Sequence, residues 1–216
     1  MTDVKRILKI LAVRRPIFHS EADFQHALAW EVHQQCPSCQ VRLEFKPHRF
    51  DKRAYVDIWV VDNDAVSAIE LKHKTRGLPI WIGNEFFSLL DQSAQDIGRY
   101  DFMKDIHRLE QIVSSIDNVV GHAVFLTNDS AYWKTPRTTE TVDADFRIHQ
   151  GRILAGNLGW GTGASSGTMS GREKPIPIKG VYSLNWQDYS EPKKASYGKF
   201  RYLLVEINRK TVHEVT

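Results

Sequence analysis

The chain has little cysteine, little net charge and no long apolar run, and each lack removes a class of protein. Only two of its 216 residues are cysteines, Cys36 and Cys39 in "CPSC", too few for a secreted disulfide scaffold. No stretch approaches the roughly 18 apolar residues of a membrane span. The opening "MTDVKRILKILAVRRP" has neither the uninterrupted apolar core nor the small-residue cleavage site of a signal peptide. The expectation is therefore a soluble, cytoplasmic protein without a membrane partner. Twenty-nine Lys and Arg against 26 Asp and Glu leave a formal charge of +3, which neither demands nor excludes a polyanion. The glycine-rich "GWGTGASSG" lacks the Lys-Ser/Thr ending of a phosphate-binding loop. His33, Cys36 and Cys39, with His48 beyond, have usable zinc spacings, but no second cysteine pair completes a four-ligand site. "CPSC" also follows a helix instead of opening one after a strand, so its thiols lack activation by a helix N-terminus and read as incidental.

What is present suffices for one domain: 42% of the residues are hydrophobic, enough for a core. Val4, Ile7, Leu8 and Leu11 recur at helical spacing in a short basic helix that ends before Pro16. "HSEADFQHALAWEVHQQC" predicts a second helix, with Ser20 and Asp23 at capping-box spacing and Phe24, Ala27, Leu28 and Val32 on one face. "VRLEFKP" alternates as a strand. "VDIWVVDNDAVSAIELKHKT" follows as two more strands around Asp62-Asn63-Asp64. The spacing of Phe86, Leu90, Ala94 and Ile97 predicts a helix from Glu85 to about Arg99, and that of Phe102, Ile106, Leu109, Val113 and Ile116 another from about Asp101 to Ile116. "HAVFLTND", "IKGVYSLNW" and "KFRYLLVEI" are further strands. "GRILAGNLGWGTGASSGTMSGREKP" has no sustained period and reads as a loop or hairpin tip.

The central hairpin carries the chemistry. Alternation along a strand puts Glu70 and Lys72 on one face and Ile69 and Leu71 on the other, with Asp57 able to reach Glu70's face from the neighbouring strand. Two arrangements satisfy this pattern. The three residues can form a solvated cross-strand salt bridge. Alternatively, the two acids converge and hold a hard divalent cation, with the lysine beside the metal-bound water.

"VDIWVVDNDAVSAIELK" resembles the metal-binding hairpin of the PD-(D/E)xK nuclease superfamily, with Asp57 at the first acid, Glu70 at the second and Lys72 at the lysine. Val56 stands where the motif's name has proline. The preceding helix is similar to the family element that contributes a further glutamate, for which Glu21 is the first choice and Glu31 the second. The resemblance covers about residues 17–128. It implies a restriction-endonuclease-like α/β core with a central mixed sheet flanked by helices, the remaining residues 129–216 adding strands and the Gly/Ser-rich loop. It further implies that Asp57, Glu70 and the Leu71 carbonyl hold Mg²⁺ or Mn²⁺, that Lys72 assists the attacking water, and that Gln92 or Gln95 supports the site.

A phosphodiesterase needs cations for its backbone contacts. Lys74 and Arg76 lie just beyond the motif, and Arg99, Lys104 and Arg108 follow. Trp81, Trp133, Trp160 and Trp186 are stacking candidates wherever they are exposed. The expectation is a Mg²⁺-dependent endonuclease acting on DNA, as a homodimer if it cuts both strands. The alternatives are a catalytically inactive nucleic-acid-binding protein on the same fold and an interaction protein with merely solvated acids.

Overall fold

The computed structural model describes residues 2–48 and 55–213. Helices α1 (Val4–Arg14) and α2 (Glu21–Gln35) precede the strands β1 (Gln40–Phe45), β2 (Val56–Asp62) and β3 (Ala65–Lys74). Asp3 and Ser20 cap the two helices, their side chains accepting from the Arg6 and Asp23 amides. β2 and β3 pair antiparallel. Their turn places Asn63 at φ 53°, a left-handed conformation that asparagine tolerates better than most residues.

The region expected as a helix from Glu85 forms a ribbon of β4 (Leu78–Ile82) and β5 (Glu85–Leu89). Its burial has period two: Leu78, Ile80, Phe87 and Leu89 point inward, while Phe86 and Leu90 are exposed. The four-residue spacing of Phe86 and Leu90 was thus a coincidence of two outward-facing side chains. One long helix, α3 (Gln95–Ser115), replaces the expected break near residue 100. Gly98 lets it pass close to Tyr132, since a Cβ there would lie 2.6 Å from the Tyr132 hydroxyl.

After α3 comes β6 (Val119–Thr127), parallel to β3 from Val66↔Val119 to Lys74↔Thr127. β7 (Ile153–Leu158) and β8 (Ile176–Ser183) form an antiparallel pair outside the main sheet. The segment from Gly151, expected as a loop or hairpin tip, begins with the strand β7, and its Gly/Ser-rich part is the connection between β7 and β8. β9 (Trp186–Ser190) and β10 (Phe200–Ile207) complete a mixed six-stranded sheet in the order β1-β2-β3-β6-β10-β9. Cys36 and Cys39, read from sequence as free thiols, form a disulfide, because the turn between α2 and β1 brings them together.

Side-chain alternation divides the core between the two faces of the sheet. Ala68, Ala123 and Phe125 pack with Phe102, Ile106 and Leu109 of α3. Ile69, Leu71, Val124 and Leu126 pack with Leu8, Phe24 and Leu28 of α1 and α2. Glu70 and Lys72 share the parity of Ala68, so they face α3. Trp186 is core, its indole N–H donating to the Ile148 carbonyl at 2.6 Å. Trp133 and Trp160 are half-buried, and Trp81 is exposed. Among the described residues no helix is long and apolar enough to cross a membrane.

Candidate functional site

β3 outruns its neighbour, and the site is built on the overhang. The Val66 N–H donates to the Asn118 carbonyl, so even-numbered residues of β3 bond β6 and odd-numbered ones face β2. β2 pairs with β3 only as far as Ile58↔Ile69. Beyond that, the outward N–H groups of Leu71, His73 and Thr75 have no backbone partner. Three side chains take them: Asp57 accepts from Leu71 at 2.6 Å, Glu21 from His73 at 2.7 Å and Gln92 from Thr75 at 2.9 Å. Leaving such donors unmet in a buried place would cost about 1–3 kcal/mol each. Three residues chosen from the sequence thus line one strand edge.

Lys72 and Arg108 run between the acids. The Lys72 ammonium lies 2.6 Å from an Asp105 carboxylate oxygen and donates to the Leu71 carbonyl at 3.1 Å. Arg108 forks onto Glu70, with Nε 2.8 Å from one oxygen and Nη2 3.0 Å from the other, and also contacts Asp105. Asp105 and Arg108, one turn apart on α3, face the same side, so the helix delivers an acid to Lys72 and a base to Glu70. Four carboxylates (Glu21, Asp57, Glu70, Asp105) therefore surround two cations (Lys72, Arg108), a surplus of two negative charges.

Protonation follows from this environment. Burial raises the Asp57 pKa to about 6, against the opposing pull of the Leu71 N–H and Lys72. Burial, then Asp105, pushes Glu70 well above the usual carboxylate range despite Arg108. Burial disfavours the Lys72 charge, but Asp105, Glu21 and Asp57 outweigh it and hold the ammonium above its ordinary range. His73, buried on the other face, is lowered to about 4 and stays neutral.

A backbone feature adds to this. Glu44 falls between the paired positions Leu43↔Ile58 and Phe45↔Val56 of the β1/β2 ladder and has φ 48°, a conformation that costs a residue other than glycine about 1–2 kcal/mol. Gln25 holds it there, donating from one amide nitrogen to the Glu44 carboxylate and the Asp57 carbonyl, both at 2.8 Å. Strained non-glycine residues cluster at functional sites.

The acids fit a divalent ion in donor type, since their oxygens are hard ligands, and in charge once an ion displaces the protons that burial favours on Asp57 and Glu70. No three carboxyl groups among Glu21, Asp57, Glu70 and Asp105 bring oxygens within 4.8 Å of one another. These acids form no three-carboxylate cage, and the ligands that the resemblance implies, Asp57, Glu70 and the Leu71 carbonyl, could take an ion only if Arg108 yields its place on Glu70.

The other expected residues are placed differently. Glu31 is remote, forked by Arg14 at 2.9 and 3.2 Å, so Glu21 is the α2 acid at the site. Arg99, expected to meet phosphate, is buried and bonded to Asp143 and to the Ala131 carbonyl. Arg108, expected to do the same, is spent on Glu70 and Asp105. Gln95 donates to Asp129 at 2.9 Å, and Arg76 pairs with Asp91 at 2.9 Å. Lys104 is exposed over the Tyr100 ring. Lys74, Gln92, Glu21 and His19 line a cleft of about 240 Å³ beside the overhang. Asp105 was missed as a site residue, since no motif marks it. Only the crossing of α3 over β3 gives it a role. Comparisons with protein-family models, curated proteins and solved structures find no match for this chain.

Proposed function

We propose that the protein is a divalent-metal-dependent phosphodiesterase acting on nucleic acid, in the first place DNA, with the restriction-endonuclease-like hairpin as its active site. The observation that carries this reading is the gathering of Asp57, Glu70, Lys72 and Glu21 around the β3 overhang. Asp57, Glu70 and the Leu71 carbonyl would hold Mg²⁺ or Mn²⁺. Such an ion supplies Lewis acidity, acidifying water and offsetting charge on the phosphate. Lys72, held as a cation by Asp105, donates to a phosphate oxygen or orients the attacking water, and is no proton acceptor. Lys74, on the cleft wall, is placed to meet the phosphate backbone.

The Arg108 fork on Glu70 favours a second reading, a catalytically silent nucleic-acid-binding form in which guanidinium replaces the metal. Cleavage of plasmid and single-stranded DNA by wild type and Lys72→Ala, with Mg²⁺, Mn²⁺ or a chelator, separates the two. The nuclease predicts metal-dependent nicking that the variant loses. Binding without cleavage under every condition selects the silent form.

A further inference from the structure

We propose that Cys36, Cys39 and Asp62 form a separate binding site for Zn²⁺ or a similarly thiophilic divalent ion, available when the cysteine pair is reduced. The fold supplies what the sequence lacked, a third ligand from a distant segment. The Cys39 N–H donates to the Cys36 carbonyl at 3.0 Å, so Cys36-Pro37-Ser38-Cys39 is a tight turn that turns both sulfurs to one side. The β1/β2 register, Gln40↔Val61, sets Cys39 opposite Asp62. Both sulfurs and an Asp62 oxygen then lie within 4.8 Å of one another, the one group of three such ligands among the described residues.

The surroundings suit an exchangeable ion. Cys39 is buried, while Cys36 and Asp62 are half-buried. All three open onto a cleft of about 220 Å³ that also contains Asp3 and Arg6, whose charges oppose each other. Cys-x₂-Cys spacing with two thiolates and one carboxylate matches zinc's preference for tetrahedral sulfur-rich sites, and a three-ligand set leaves the fourth position to solvent. This site lies at the opposite end of β2 from Asp57, about 17 Å away at strand rise, so the two can be perturbed separately.

Redox state selects the occupant. In the disulfide form the sulfurs are weak ligands. Two equivalents of a low-molecular-weight thiol reduce the bond, yielding two protein thiols and one small-molecule disulfide. Zn²⁺ then displaces two protons as it binds the thiolates.

The test is competition for Zn²⁺ against a chromophoric chelator, using phosphine-reduced protein freed of reductant. Wild type, Cys36→Ser, Asp62→Asn, oxidised wild type and wild type alkylated while folded are compared, and Co²⁺ substitution reports thiolate ligation by its charge-transfer band. Reduced wild type should take Zn²⁺ from the chelator, Asp62→Asn should bind about tenfold more weakly or worse, and the other three should not bind. The alkylated sample keeps the test valid if Cys36→Ser misfolds. Failure of reduced wild type to bind while its thiols titrate as free, or unchanged binding after alkylation or in Asp62→Asn, overturns the proposal.

Discussion

Asp57→Asn should stabilise the protein at pH 8, and the size of the gain follows from the site. Asn keeps an oxygen to accept the Leu71 N–H, now at 2.6 Å, and removes the charge. The Asp57 pKa moves from the ordinary 3.8 to about 6 on folding, about two units, or at most about 3 kcal/mol. A raised pKa in the folded state means that wild type has this stability in full below pH 3.8 and loses it as pH climbs through 6. The variant has no such loss. Its advantage should therefore approach about 3 kcal/mol at pH 8 and vanish near pH 4. Urea unfolding at both pH values, with unchanged m-values, measures it. A missing gain at pH 8, or a gain undiminished at pH 4, refutes burial as the cause. A divalent ion works against this gain: Mn²⁺ at about 100 times its Kd adds about 2.7 kcal/mol to wild type and nothing to the variant, which nearly closes the gap at pH 8.

Asp105→Asn should lower cleavage by about 10²-fold or more by loosening the Lys72 ammonium, with KM little changed, as steady-state kinetics would report. Arg99→Ala should cost about 1.5–3 kcal/mol, since Asp143 loses one charged partner but keeps Arg147 at 3.1 Å and the Thr141 hydroxyl at 2.8 Å, while the salt dependence of DNA binding, read by fluorescence anisotropy, stays as in wild type. Glu31→Gln should leave cleavage unchanged in the plasmid assay, since its Arg14 partner is far from the overhang. Gly98→Ala should lower the melting temperature: helix propensity favours alanine by about 1 kcal/mol, but the new methyl meets the Tyr132 hydroxyl, and Tyr132 is only 1% exposed and has no room to withdraw.

The β2/β3 hairpin is legible from residues alone because alternation, turn chemistry and the parity of Asp57, Glu70 and Lys72 all act locally. α2 is legible for the same reason, through its Ser20 cap and apolar stripe. The β4/β5 ribbon was not, since two exposed apolar residues imitate a helical step when burial is unknown. Asp105 was not singled out and Arg108 was read as a phosphate contact, because their partners lie on a strand distant in sequence. Arg99 shows the same limit, as a buried arginine and a surface arginine are identical in sequence. The Asp62 ligand to the cysteine turn depends on a cross-strand register that spacing does not reveal.

The place of β6 between β3 and β10 bears on how the chain is made. All four acids of the candidate site precede residue 128, yet β6 is paired by β10 from Gly121 to Thr127. About 70 further residues separate the end of β6 from the start of β10 at Phe200, roughly 4–15 s of synthesis at about 5–20 residues per second. Through that interval an apolar strand stands with one hydrogen-bonding edge open, a template for pairing with another nascent chain. A chain cut short after residue 128 would keep all four acids of the site and leave this edge of β6 without its β10 partner, so the late strand is what closes the sheet beside the early one.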